Sequence, residues 1–229
     1  MWLFCCITFF NASFLLILTE FKNSLMIIDI NAENPDARKI SQVVDVLQRG
    51  GVIIYPTDSV YGLGCDIYQK KGIERICRLR NLNPQKANLT IICKDISQLS
   101  EYTQQIDNAV FKLLKRNLPG PFTFILKSSR KLPKSMDNNR KTLGIRIPDN
   151  NIAQAIIEKM GNPILSISLK SDDEITEYFT DPYEIHEDFE KLVDMVIDGG
   201  IGDNIPSAVI DVSEGNVEIL RQGGRELIE

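Results

Sequence analysis

Val52-Ile53-Ile54-Tyr55 is a short β-branched and aromatic run, with Gly50-Gly51 in front of it and Pro56 behind it. A run of that length and type between chain breakers reads as a buried strand. Pro56 halts ladder pairing. Thr57, Asp58 and Ser59 then put two hydroxyls and a carboxylate just past the strand end, where open α/β sheets hold their ligands. Gly62 and Gly64 let the backbone come close to another group. Taken alone, the stretch from Gly50 to Asp66 also fits a tight β-loop closed by glycines for steric reasons.

The rest of the chain decides what sheet this strand joins. A first strand is expected over 26–30. A helix follows, with Asn34 as its cap, Pro35 at its first position, and Ala37, Ile40, Val43, Val44 and Leu47 on one face. Gly50-Gly51 stops it. Residues 70–80 form a second amphipathic helix, in which Arg78 and Arg80 can aim at one ligand only if the helix ends there. Asn81, Asn83 and Pro84 supply that end. A strand over 89–93, a short helical piece opened by Ser97-Gln98-Leu99, and a basic helix over 108–117 capped by Asp107 come next. Pro119-Gly120-Pro121 breaks that helix into a strand over 122–126, so Thr123 lies at a strand start beside a rigid corner. The basic loop over 127–140 reads as mobile surface.

A strand over 142–147 carries Arg146, and a helix capped by Asn150 ends at Gly161. In Pro163 to Lys170, Leu165, Ile167 and Leu169 point one way and Ser166 and Ser168 the other; the two serines fit either a half-solvated face or a site. An acidic loop and helix precede a strand over 192–197. Asp198-Gly-Gly-Ile-Gly202 is the richest glycine cluster, but no helix with an apolar stripe follows it, so it is no dinucleotide fingerprint. Strands over 208–212 and 217–220 form a hairpin, with Ser207 just before it and Arg221 just after it. Neighbouring strands are linked sometimes by helices and sometimes by turns, which predicts a twisted open α/β sheet, part parallel and part antiparallel.

Composition narrows the chemistry. The 229 residues include one histidine and five cysteines, and the cysteines form no C-x-x-C pair. Zinc sites and disulfide frameworks are therefore disfavoured, and the cysteines suit a reducing cytoplasm, with Cys77 and Cys93 in the core. His186 sits in an acidic helix and reads as a solvated surface group, so no Ser-His or Cys-His pair is expected. Residues 70–146 carry 17 Lys or Arg against 5 Asp or Glu, a balance of +12, while residues 171–229 carry 3 against 17, a balance of −14. The basic middle suggests a polyanionic partner such as nucleotide phosphates or RNA; a solvated face compensated by the acidic tail is the alternative.

Residues 1–25 stand apart as an apolar extension. They lack the basic start and the small-residue cleavage site of a signal peptide, and Trp2 to Leu18 is marginal for a membrane span. An over-extended leader outside the fold, a membrane anchor and a packed helix are the three readings. Residues 26–229 are expected to form a single domain.

The motifs YPTDSVYGLGCD (55–66), Arg78-Leu79-Arg80, LPGPFTFIL (118–126), GIRIP (144–148), PILSISLK (163–170), DGG (198–200), PSAVID (206–211) and LRQGG (220–224) come in a fixed order. In that order and spacing the chain resembles the YrdC/YciO family of L-threonylcarbamoyladenylate synthase-like proteins, most nearly its YciO-like branch. The resemblance covers about residues 26–224. It implies a YrdC-like fold with a basic concave cavity. It also implies a nucleotidyltransferase reaction in which ATP, L-threonine and bicarbonate give threonylcarbamoyl-AMP and pyrophosphate for the t6A modification of tRNA, with Mg2+ accompanying ATP.

Carried over residue by residue, the resemblance assigns Thr57, Thr123, Arg146 and Ser207 to substrate, and Arg78, Arg80, Ser166, Ser168 and Arg221 to the nucleotide. No protein nucleophile and no protein metal ligand are implied. The chain departs from the synthases at two places. They resemble Lys-x-Arg where this chain has Arg78-Leu79-Arg80, and Ser-x-Ser-Ala-Asn where it has Ser166-Ile-Ser168-Leu169-Lys170. An asparagine amide both donates and accepts, whereas lysine only donates. Two functions stay open: the synthase, and a catalytically weak YciO-like protein that binds double-stranded RNA, tRNA or ribosomal partners.

Overall fold

Strands linked now by helices and now by turns join one mixed sheet. The computed structural model describes residues 26–83, 89–136, 141–170 and 178–228. Its strands are β1 (Met26–Asp29), β2 (Ile53–Tyr55), β3 (Gly62–Asp66), β4 (Thr90–Ile92), β5 (Phe122–Lys127), β6 (Thr142–Arg146), β7 (Ile164–Ser168), β8 (Met195–Asp198), β9 (Ala208–Asp211) and β10 (Glu218–Arg221). They form a ten-stranded sheet in the order β1-β8-β2-β3-β7-β4-β6-β5-β9-β10. The pairs β1-β8, β2-β8, β4-β6 and β5-β9 are parallel. The pairs β2-β3, β3-β7, β4-β7, β5-β6 and β9-β10 are antiparallel.

The helices are α1 (Ala37–Gln48), α2 (Lys70–Leu79), α3 (Ile96–Tyr102), α4 (Asn108–Asn117), α5 (Asn151–Met160) and α6 (Pro182–Phe189). Local chemistry sets their ends. Asp107 accepts from Val110 N to start α4, and Asn150 accepts from Ala153 N to start α5. Gly161 ends α5 in the left-handed region at φ 75°, a conformation that glycine adopts without a Cβ penalty.

The alternation of β2 splits the core between two faces. Ile53 and Tyr55 pack with α1 and α5, through Ile40, Val43, Leu47, Ile152 and Ile156. Ile54 points the other way, into the cluster that holds Ile73 and Ile76 of α2 and Leu113 and Leu114 of α4. Val43 and Leu47 are both 0% exposed, and burying such side chains stabilises α1 by about 2 kcal/mol each. The cover from α1 and α5 reaches as far as Ile92 on β4. Beyond Ile164 on β7 and Ile92 on β4, the same face of the sheet is left to a cavity.

Several expectations need correction. The cap of α1 is Asp36, not Asn34: Asp36 Oδ1 accepts from Arg38 N at 2.8 Å and Lys39 N at 3.1 Å. These backbone bonds, from Lys39 first and then Arg38, hold the Asp36 carboxyl below its ordinary range. Asn34 instead gives its N–H to Asn31 Oδ1 in a turn before the helix. His186 is half-buried rather than solvated, and its Nδ1 has no hydrogen-bond partner among the described residues. The described part of the 127–140 loop is tied down: Ser128 N donates to Lys141 O, Ser135 Oγ donates to Ile67 O, and Met136 is buried. The strand expected over 192–197 begins only at Met195, because residues 190–192 form a turn that leaves Leu192 exposed. Cys77 and Cys93 are buried as expected. The expectations for residues 1–25, for Pro84, and for the parts of the two loops at 137–140 and 171–177 fall outside the described residues.

Candidate functional site

A cavity of about 790 Å³ opens on the uncovered face of the sheet. Its floor follows the period of two that every strand imposes. β4 contributes Thr90 and Ile92, β5 Thr123 and Ile125, β6 Thr142, Gly144 and Arg146, and β9, with the residue before it, Ser207, Val209 and Asp211. Ser166 and Ser168 add the same face of β7, and Arg80, Lys170 and Arg221 stand around the rim. The volume lies within the ~300–1,000 Å³ of small-molecule sites, and a floor of hydroxyls with a cationic rim suits a polar anion.

Seven of the nine residues expected at the site line this cavity: Thr123, Arg146, Ser207, Arg80, Ser166, Ser168 and Arg221. Arg80 gets there because α2 ends at Leu79, which makes Arg80 its C-cap and turns the side chain to donate to Lys170 O at 2.9 Å. A cation at this position also meets the negative end of the helix dipole. Arg78 is still inside the last helical turn; it is exposed and does not reach the lining. The helix ends one residue too late for both arginines to share a ligand.

Thr57 lies one hydrogen bond behind the wall. Its Oγ1 donates to Val60 O at 2.7 Å and accepts from Ser59 N at 3.1 Å and from Arg146 Nη2 at 3.3 Å. Arg146 Nη2 also donates to Ser59 Oγ at 2.8 Å and closes an ion pair with Asp58. The turn after β2 therefore holds one guanidinium nitrogen by three successive side chains. Within this pair, Asp58 Oδ2 and Arg146 Nε are buried with no hydrogen-bond partner among the described residues.

The opposite wall is equally ordered. Thr123 Oγ1 and Ser207 Oγ are 2.9 Å apart, and Arg221 donates to Ser207 O through Nε at 3.0 Å and Nη2 at 2.8 Å. That fork fixes the guanidinium plane at the cavity edge. Sequence reasoning missed Thr90, Thr142, Gly144 and Asp211, although each is an even number of residues from another lining position on its strand. It also missed Asp58 as the partner of Arg146, and Tyr55, whose hydroxyl donates to Ser166 Oγ at 2.7 Å from beneath the floor. Among the described residues no group of three or more His, Cys, Asp or Glu converges to hold a metal ion. Nor is any helix among them long and apolar enough to cross a membrane.

The family model described as Sua5, YciO and YrdC, telomere recombination, matches residues 45–223. The chain belongs to the Sua5/YciO/YrdC family. An uncharacterised protein, YciO of Escherichia coli K12, is 46% identical over 196 residues, which is 85% of this chain and 93% of YciO. The crystal structure of E. coli YciO superposes with a TM-score of 0.82 at 43% identity, covering 88% of this chain and 97% of that one. A threonylcarbamoyl-AMP synthase of Pyrococcus abyssi is 31% identical over 208 residues, 89% of this chain but 60% of the synthase. The structure of P. abyssi Sua5 complexed with L-threonine gives a TM-score of 0.76 at 28% identity, covering 87% of this chain and 58% of that one. The mixed α/β sheet is thus the family's fold.

Proposed function

We propose that the cavity takes ATP and L-threonine and that the protein is of the threonylcarbamoyl-AMP synthase type. The observation that carries this reading is Arg146, which lines the cavity with Asp58 paired behind it and whose Nε has no acceptor among the described residues. Buried polar atoms seek partners, and an α-amino acid brings an ammonium and a carboxylate on a single carbon. The L-threonine bound by the P. abyssi relative supports the same choice. Arg80, Lys170 and Arg221 would then face the phosphates across the hydroxyl floor.

In this reading the threonine amine captures carbon dioxide derived from bicarbonate. A carbamate oxygen attacks the α-phosphorus, and pyrophosphate leaves. The protein's part is to align the two substrates and offset the charge of the leaving phosphates, so neither a nucleophile nor a histidine is called for. Magnesium would arrive with the triphosphate. The carboxylate on the cavity lining is Asp211, which is too little for a resident site, and no step is assigned to the metal. A cytoplasmic location fits the supply of ATP and the unpaired Cys65, Cys77 and Cys93.

A second reading keeps the cavity and drops the chemistry. Lys170 lines the rim where the resemblance places an asparagine in synthases, and an added cation favours a nucleic acid backbone. Pyrophosphate release that requires ATP, L-threonine and bicarbonate together supports the synthase. No release, with tRNA or double-stranded RNA binding that falls steeply with salt, selects the second reading.

A further inference from the structure

Gly62 and Gly64 are small because an aromatic ring lies across them. A Cβ at Gly64 would stand 2.9 Å from Tyr55 Cε1, and one at Gly62 would stand 3.1 Å from the same atom. β3 lies between β2 and β7 in the sheet, so the Tyr55 ring spans it and delivers its hydroxyl to β7. There Tyr55 donates to Ser166 Oγ at 2.7 Å. Tyr55 is wholly buried, whereas Ser166 lines the cavity.

We propose that Tyr55 is a positioning residue: by occupying a lone pair of Ser166 Oγ, it turns the serine proton into the cavity, as a donor to a phosphate oxygen. This deepens the nucleotide reading above and rests on it. The direction of the bond follows from the surroundings. Ser166 is the one hydrogen-bond partner of the phenol among the described residues, and reversing the bond would leave the phenolic proton unsatisfied in a dry core. Burial pushes the phenol up to about 12, so it stays protonated at every working pH. Ser166 carries a single proton, which no other described residue accepts. A serine held in this way favours an anionic oxygen over a donor group and adds to the rim cations on the nucleotide's side.

The test is calorimetric titration of the full chain with MgATP. Tyr55→Phe keeps the ring over Gly62 and Gly64 and removes only the donor. It is expected to weaken ATP binding about fivefold, the worth of one ordinary hydrogen bond. Ser166→Ala should lose a similar factor, and the double variant no more than either single one, because both remove the same contact. L-threonine binding should stay as in the wild type. If Tyr55→Phe binds ATP as the wild type does, or if the two losses multiply, or if threonine binding falls while ATP binding holds, the proposal is overturned. Site-specific 3-fluorotyrosine at position 55 leaves the fold alone and strengthens the donor. Tighter ATP binding supports the proposal and unchanged affinity overturns it, even if Tyr55→Phe fails to fold. A wild-type protein that does not bind ATP overturns the nucleotide reading itself, an outcome separate from an intact Tyr55→Phe.

Discussion

Arg146 and Asp58 form an ion pair inside the protein, their side chains 6% and 9% exposed, at the point where the turn after β2 meets the end of β6. Removing one member of such a pair leaves an uncompensated buried charge, which costs about 3–5 kcal/mol. Asp58→Ala is therefore expected to lower the unfolding free energy by about that much in urea titrations. Replacing both residues, Asp58→Ala with Arg146→Met, should cost clearly less than the sum of the single changes. Additive losses would mean that the pair is not a unit.

The ends of helices decide which basic residues serve the cavity. Arg80, as C-cap of α2, lines it, while Arg78 points away. Arg80→Ala is expected to raise the ATP dissociation constant about tenfold or more, since hydrogen bonds from charged donors are worth about 1.5–3 kcal/mol. Arg78→Ala should leave that constant within a factor of two. Calorimetry on both variants checks the contrast, and equal losses would place Arg78 at the site after all.

What could be read from the sequence follows from what local patterns can carry. The alternation in Ser166-Ile167-Ser168 and the strands that carry Thr123 and Arg146 put four residues on strand faces that line the cavity, because a strand's period of two is fixed by backbone geometry. The same period, carried along each strand, reaches Thr90, Thr142, Gly144 and Asp211. The order of strands that brings β4, β6, β5 and β9 side by side is not local, and without it those positions had no common face. Asp36 displaced Asn34 as helix cap because either side chain can cap and only the packing of α1 on β2 and α5 chooses between them. His186 defied its acidic, polar neighbours in the same way, since Ile185 beside it is fully buried and carries that turn inward. The contact of Tyr55 with Ser166 spans 111 positions, yet it left a local trace in Gly62 and Gly64.

Burial of tyrosine hydroxyls ties stability to alkaline pH. Desolvation raises the Tyr55 phenol to about 12 and that of Tyr61 likewise, above the ordinary phenol value of 10.0. Both groups are neutral when protonated, so the unfolded chain releases its protons first as pH rises past 10. The stabilising contribution is full below pH 10 and is lost progressively between about 10 and 12. For Tyr55 the loss is on the order of 2 kcal/mol. Urea midpoints measured at pH 9 and pH 11 should fall less in Tyr55→Phe than in the wild type, and an identical fall would assign the alkaline loss to other groups.

Gly144 sets the depth of the cavity floor. A Cβ there would lie 2.6 Å from Thr90 Oγ1 and 3.3 Å from Thr90 Cβ, on a strand directly paired with its own. The space must come either from a rotation of Thr90 or from a separation of β4 and β6, and the second would also disturb Arg146 at the end of the same strand. Overpacking of this kind costs about 1–3 kcal/mol. Gly144→Ala is thus expected to lower stability by that amount and to weaken ATP binding together with it. Gly161→Ala supplies the control: its Cβ would meet nothing within 4 Å, and the penalty, about 1 kcal/mol, comes only from its φ of 75° at the end of α5. That variant should lose stability in urea while its ATP affinity by calorimetry remains that of the wild type. A Gly144→Ala protein that binds ATP normally would show that the ligand does not rest on the floor between β4 and β6.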